Sequence, residues 1–134
     1  MTEARTETVS EAEEIDRVAN ALFDAIAAGD VDGVRDLYAE DVQVWHNVTD
    51  KAQTRDENLA LLKMFTGKMA ELRYDEIDRR FYPGGFVQRH VLRGKTKSGQ
   101  GIEVPVCIMI DVAASKITRI YEYLDQSAIA GVFD

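Results

Sequence analysis

Three ionisable side chains fall on strand faces that are otherwise apolar, namely His46, His90 and Glu122. Glu122 stands between Ile120 and Leu124 by the two-residue period of a strand. A neutral imidazole can take up and return a proton near pH 7, because its free pKa is about 6.5. A carboxylate can orient an imidazole and stabilise its charged form. We therefore predict acid–base chemistry, with His46 as the base and with His90 and Glu122 as a coupled acid–base pair.

The same residues have a structural interpretation. His46 could bond a backbone carbonyl, and His90 with Glu122 could be a satisfied buried pair that joins two strands. The residue types alone leave these alternatives open.

Composition limits the classes of partner. The chain has 134 residues and 46% hydrophobic residues, which suits one domain over 10–134 after a disordered tail over 1–9. A net charge of −8 disfavours nucleic acid, because phosphate binding needs a patch of lysine and arginine. No apolar run approaches a membrane span, and the start is acidic rather than signal-like. We expect no membrane partner and a cytoplasmic location.

Cys107 is the only cysteine, which excludes an internal disulfide and a cysteine-based zinc site. Its neighbours Val106 and Ile108 predict a buried, inert thiol. Neither a close-spaced metal-ligand motif nor a glycine-rich phosphate loop is present. We therefore expect no metal and no cofactor.

Two capping boxes predict helix starts, and they are Ser10 with Glu13 and Thr54 with Glu57. The first opens an amphipathic helix over 10–28, whose apolar stripe includes Leu22 and Phe23. The second opens a helix that ends near Gly67, and the apolar residues that space it are Leu59, Leu62, Phe65 and Met69. Between them, Gly29 and Asp30 lead into a short helix. Its apolar residues are Val31, Val34, Leu37 and Tyr38.

The rest of the chain is predicted as strands, over 41–47, 72–82, 86–95, 102–112 and 116–125. Residues 48–53 are polar and predict a loop. Alternation fails around Asp75 and Glu76, which predicts a bulge or an exposed edge. On the last strand we assign Ile117, Arg119, Tyr121 and Tyr123 to the face opposite Glu122. About three helices followed by long antiparallel strands predict an α+β fold with a concave interior that can hold a small molecule.

Two stretches carry a resemblance to a known family. They are Ala28-Gly29-Asp30 with Leu37–Asn47, and Val104–Ile108 with Lys116–Asp125. On these residues the chain resembles the SnoaL-like (polyketide cyclase-like) branch of the nuclear-transport-factor-2-like superfamily. The resemblance implies a cone-shaped barrel, in which a curved, mostly antiparallel sheet wraps around the helices. It also implies a homodimer through the outer sheet face.

The resemblance carries over catalytic positions only in part. His46 falls where related ketosteroid isomerases keep a general-base Asp, but Leu22 stands where their helix carries a Tyr. Glu122 matches a catalytic Asp of the limonene epoxide hydrolase and polyketide cyclase branches. His90 falls near that hydrolase's second Asp, and Gln88 falls near its Arg.

Ten further residues are predicted to bind the substrate: Tyr38, Trp45, Asn47, Met64, Phe65, Phe86, Gln88, Val106, Ile108 and Leu124. We expect a cofactor-free isomerase, hydrolase or cyclase that acts on a small apolar molecule. The alternative is a non-catalytic ligand-binding or accessory module of the same fold.

Overall fold

The computed structural model describes residues 10–132, so the predicted tail over 1–9 lies outside the described residues. Three helices and six strands follow one another along this range. They are α1 (Glu11–Ala28), α2 (Val31–Leu37), β1 (Tyr38–His46), β2 (Lys51–Gln53), α3 (Arg55–Gly67), β3 (Met69–Tyr82), β4 (Gly85–Thr96), β5 (Gly101–Ala113) and β6 (Lys116–Leu124). A 3-10 helix at Gln126–Ile129 follows β6.

The helix starts are held by the predicted caps. Ser10 accepts a hydrogen bond from the Glu13 amide, and Thr54 and Glu57 form a reciprocal capping box. Gly29 ends α1 with a φ of +71°, a left-handed conformation that glycine adopts without steric cost. Asp30 then caps α2 by accepting from the Gly33 amide.

The six strands form one sheet in the order β2-β1-β6-β5-β4-β3. Strands β1 and β6 pair in parallel, and all other neighbours are antiparallel. The predicted α+β class and the mostly antiparallel curved sheet are confirmed. The sheet stays open rather than closing into a complete barrel, because β2 and β3 remain its two edges.

The core lies between the helices and one face of the sheet. From α1 it takes the predicted helical stripe, which includes Leu22 and Phe23. From β5 it takes alternate residues over Ile102–Ile110, which are buried while those between them are exposed. This single apolar layer is the pattern expected of a sheet with one covered face. No helix within residues 10–132 is long and apolar enough to cross a lipid bilayer.

Two bulges change which residues face the core. In β3 the pairing shifts between Asp75 and Asp78, and Glu76 has a φ of +55°. The bulge or exposed edge predicted here is confirmed on both counts, since β3 is also an edge strand. Between β5 and β6 the pairing shifts from Asp111 to Val112, so that Ile117 and Ile120 are both buried although they are three residues apart. The assignment of Ile117 to the face opposite Glu122 was therefore wrong.

Three smaller expectations also need correction. The loop predicted over 48–53 contains the short edge strand β2. Met69, counted in the apolar stripe of α3, instead begins β3 and is buried there. Cys107 is exposed, because alternation in β5 turns it away from its buried neighbours Val106 and Ile108.

Candidate functional site

One row of paired residues crosses the sheet on its helix-covered face. Arg79 of β3 pairs with Gln88 of β4, which pairs with Ile108 of β5. Ile108 pairs with Glu122 of β6, which pairs with His46 of β1. Paired residues on adjacent strands point to the same face. Four polar side chains therefore lie in line on a face whose other residues are mainly apolar.

His46 and Glu122 are in direct contact. Nε2 of His46 lies 3.0 Å from Oε1 of Glu122, and the two side chains are 14% and 23% exposed. A neutral His46 must carry its proton on Nε2 to donate to this carboxylate, which leaves the Nδ1 lone pair free. The pair is therefore partly accessible to solvent and has the arrangement of a base oriented by a carboxylate.

The predicted pair of His90 and Glu122 is not formed. Strand β5 separates β4 from β6, and its apolar residues Val106 and Ile108 stand between the two groups. The nearest imidazole to Glu122 is instead that of His46, because β1 and β6 are neighbours. The sequence indicated the three residues but not which of the two histidines would meet the carboxylate.

His90 belongs to a second, more deeply buried group. Its Nδ1 lies 2.8 Å from Nε2 of Gln88, and both residues are almost completely buried. Gln88 Oε1 accepts a hydrogen bond of 2.7 Å from Nε of Arg79. Arg79 in turn donates from NH1 to Asp16 and to Asn20 of α1. A chain of hydrogen bonds therefore runs from the first helix through β3 to the imidazole.

Aromatic rings surround the His90 imidazole. The ring centroids of Tyr74 and Phe23 lie 4.9 Å and 5.6 Å from that of His90, in edge-on arrangements. Burial lowers the pKa of His90 to about 4; the charge of Glu122 opposes this shift, and that of Arg79 adds to it. His90 is therefore neutral near pH 7.

Two phenols lie near the carboxylate of Glu122. Burial raises the pKa of both Tyr38 and Tyr74, and the negative charge of Glu122 raises each further. Tyr38 donates a hydrogen bond of 2.7 Å to Asn58, whose amide donates to Gln53. The Tyr74 hydroxyl makes no hydrogen bond to any residue within 10–132. Both phenols are therefore protonated at neutral pH.

Most predicted substrate-binding residues lie on the inner side of the sheet. Six are buried, namely Tyr38, Phe65, Phe86, Gln88, Val106 and Ile108. Leu124 is half-buried. Their burial does not separate a lining residue from an ordinary core residue.

Three predicted substrate-binding residues lie elsewhere. Trp45 is on the outer face, where its ring packs against those of Tyr121 and Tyr123. Asn47 is exposed and uses both ends of its amide on the backbone of Leu124. Met64 is 43% exposed on α3. These corrections follow from alternation in β1 and from the narrow buried stripe of α3.

An open depression of about 390 Å³ lies outside this site, between α1 and α2. Its walls contain none of the predicted site residues; they are Ala21, Asp24, Ala25, Ala28, Asp30, Gly33, Asp36 and Leu37. The apolar pocket expected beneath the sheet stays a prediction. Within residues 10–132, no group of three or more His, Cys, Asp or Glu is arranged to hold a metal ion.

Three residues of the site, Arg79, Asp16 and Tyr74, were not predicted from the sequence. An arginine on an edge strand is ordinarily exposed. The bulge in β3 also shifts the alternation of inward and outward residues by one position, so alternation along the sequence does not identify the inward residues on both sides of it. The one available signal was the Gln88–His90 spacing, which places two polar groups on one inward face and calls for a hydrogen-bonding partner.

Comparison with known proteins places the fold. The model of the SnoaL-like domain family matches residues 19–120. Comparison with curated proteins found no match.

Solved structures with a similar fold include a candidate polyketide cyclase from Xanthomonas campestris pv. campestris. It shares 21% identity and a TM-score of 0.79, covering 92% of this chain and 99% of that one. Wild-type IdmH, a candidate polyketide cyclase from Streptomyces antibioticus, shares 16% identity and a TM-score of 0.75, covering 87% and 96%. An NTF2-like protein from Burkholderia xenovorans LB400 shares 24% identity and a TM-score of 0.71, covering 90% and 96%.

These identities support a shared fold only, whereas the family model spans most of the chain and agrees with the resemblance seen in the two sequence stretches. The chain therefore belongs to the SnoaL-like domain family.

Proposed function

We propose that this protein is a cofactor-free enzyme that performs acid–base chemistry on a small, largely apolar molecule, as an isomerase, hydrolase or cyclase. The observation that carries the proposal is the contact of 3.0 Å between His46 Nε2 and Glu122 Oε1 on the inner face of the sheet. His46 removes a proton from the substrate or from water through Nδ1. Glu122 orients the ring and stabilises the imidazolium that forms.

The surroundings of the pair support an apolar substrate. Ile108 lies beside Glu122 in the same row, and Val44 and Ile120 pair with each other in the next row. All three are buried. Related structures described as candidate polyketide cyclases make polyketide-like compounds a reasonable part of the substrate panel.

The test is turnover of epoxide, steroid and polyketide-like compounds by the wild-type protein and by His46→Ala and Glu122→Gln. We expect each substitution to lower kcat by about 10²- to 10⁴-fold on any compound that is turned over, the range typical of a lost general base. Glu103→Gln is the matched control, since Glu103 is 69% exposed and bonds Arg93. Unchanged turnover in both site variants would remove the proposed roles.

A non-catalytic ligand-binding module of the same fold is the second candidate. It is favoured by the Arg79–Gln88–His90 chain, which is buried and hydrogen-bonded as a structural network would be. Binding of a panel compound without turnover, with affinity unaffected by Glu122→Gln, would support this candidate instead.

A further inference from the structure

Arg79 is a charged side chain held inside the protein. It is only 10% exposed, and its guanidinium donates to Asp16 at 2.7 Å and to Asn20 at 2.8 Å. Its guanidinium carbon lies 5.7 Å from the ring centroid of Phe23 and 5.5 Å from that of Phe86. Acceptors on α1 and two aromatic rings therefore hold the group in one place.

The chemistry of Arg79 sets the direction of every hydrogen bond that follows it. A guanidinium can only donate, so the oxygen of the Gln88 amide must face Arg79. The NH₂ of that amide then faces His90 and donates to Nδ1, which must accept. A neutral imidazole that accepts at Nδ1 carries its proton on Nε2.

The Nε2 of His90 makes no hydrogen bond to any residue within 10–132. In that range, Arg55 Nε is the one side-chain polar atom that is both fully buried and unbonded, so Nε2 of His90 is not a fully buried orphan. The residue as a whole is 4% exposed.

The groups around His90 come from three elements. Strand β3 contributes the phenol of Tyr74 and the charge of Arg79, β6 contributes the carboxylate of Glu122, and α1 contributes the apolar ring of Phe23. None of them bonds Nε2. A donor that is held in place and that bonds none of residues 10–132 is suited to receive an oxygen on which negative charge develops.

We propose that Arg79 and Gln88 are positioning residues that fix His90 as the neutral Nε2–H tautomer, so that His90 donates a hydrogen bond to a carbonyl oxygen of the substrate. Asp16 and Asn20 anchor Arg79 for this purpose. The inference rests on the proposed function for the identity of the base, His46 with Glu122. It narrows the substrate class to small carbonyl compounds.

The tautomer is tested by NMR on the full chain labelled with ¹⁵N-histidine. In the wild-type protein we expect a proton on Nε2 of His90 and none on Nδ1 between pH 7.5 and pH 5. In Gln88→Glu the new carboxylate can only accept, so the proton should move to Nδ1 or the ring should become doubly protonated near neutral pH.

Arg79→Gln is a second variant in case Gln88→Glu does not fold. Glutamine can accept as well as donate, so the constraint on the Gln88 amide is lost and the Nδ1–H tautomer should become populated. Arg80→Gln is the matched control, because Arg80 is 76% exposed and bonds Asp78 on the surface. The proposed positioning of His90 by Arg79 and Gln88 would be overturned by a proton on Nδ1 of His90 in the wild-type protein. It would also be overturned by a His90 tautomer that is unchanged in both Gln88→Glu and Arg79→Gln.

The donor role is tested with two probes of similar shape, acetophenone and ethylbenzene, of which only the first has a carbonyl oxygen. We expect acetophenone to shift the Nε2–H resonance of His90 and ethylbenzene to leave it in place. Equal effects of the two probes, or no response to acetophenone up to its solubility limit, would overturn the donor role. Failure of the proposed base would appear separately, as unchanged turnover in His46→Ala and Glu122→Gln with the His90 tautomer intact.

Discussion

The imidazole of His90 lies against Phe23 and Tyr74 and accepts a hydrogen bond at Nδ1 from Gln88. Protonating Nδ1 would set a second donor against the Gln88 amide, so it would require the amide to turn and to leave Arg79. The geometry and the lowered pKa of about 4 therefore agree that the neutral form is the folded form. His90 is suited to donate rather than to act in the coupled acid–base pair with Glu122 that the residue types first indicated.

This neutral histidine should make the protein less stable in acid. The pKa of His90 is about 4 in the folded chain and 6.5 in the unfolded one, so below pH 6.5 the unfolded chain binds a proton that the folded chain does not bind. The stability that this difference in pKa affects is fully present above pH 6.5 and is lost as the pH falls towards 4. The loss in the free energy of unfolding should reach about 3 kcal/mol.

Urea unfolding of the wild-type protein and of His90→Gln at pH 7.5 and pH 4.5 measures this loss. Protonation of carboxylates such as Asp75, whose pKa is lowered by Arg93, also destabilises the fold in acid, but it does so equally in both proteins. We expect the wild-type free energy to fall further than that of the variant. Equal falls in the two proteins would contradict a depressed pKa at His90.

At the scale of elements, the bulge in β3 decides which residues reach the interior. Before it, Tyr74 packs its ring on Phe23 and His90; after it, Arg79 bonds Gln88. Tyr74 and Arg79 are five residues apart, an odd number, so a regular strand would put them on opposite faces. One extra residue near Glu76 therefore allows both groups to join the site.

The pairing of β3 with β4 also depends on Gly94. A Cβ at this position would lie 2.3 Å from the backbone oxygen of Glu71, and backbone cannot move aside cheaply. We expect Gly94→Ala to lower the free energy of unfolding by about 1–3 kcal/mol, the usual cost of overpacking. Thermal and urea unfolding measure the change.

Gly101→Ala is the control for this substitution. Gly101 lies on β5, and a Cβ there would meet nothing within 4 Å. The free energy of unfolding should fall by less in Gly101→Ala than in Gly94→Ala. A similar loss at both positions would indicate a general cost of replacing glycine in this sheet rather than a close approach at Glu71.

At the scale of the whole molecule, the outer face of the sheet carries apolar side chains that no element within residues 10–132 covers. Met109 is 41% exposed and Tyr123 is 48% exposed, and Trp45 packs beside Tyr121 and Tyr123. Large exposed apolar groups that adjoin one another mark a contact surface. We propose that a second copy of this chain covers them, in a symmetric homodimer.

Sedimentation velocity tests the dimer. We expect the wild-type protein to sediment as a dimer and the double variant Met109→Glu with Tyr123→Glu to sediment as a monomer, because four charges would be buried at a two-fold interface. Met64→Glu is the control, since Met64 is similarly exposed but lies on α3. A monomeric wild-type protein at high concentration would contradict the proposal.

Local chemistry in the sequence determined most of the elements. Capping boxes set the starts of α1 and α3, and alternation placed β4 and β5 within a residue or two of their observed bounds. Alternation also predicted correctly that His46 and His90 lie on inward faces. These features depend on neighbours a few residues apart, which a sequence displays directly.

Only the tertiary structure decided which of these inward groups would meet. The order of strands in the sheet placed His46 beside Glu122 and left β5 between Glu122 and His90. The bulge turned Arg79 inward, and the packing of α1 supplied Asp16 to hold it there. Such contacts join residues up to 76 positions apart, the separation of His46 and Glu122. Strand order and bulges are set by the packing of the whole core rather than by the residue types at either end.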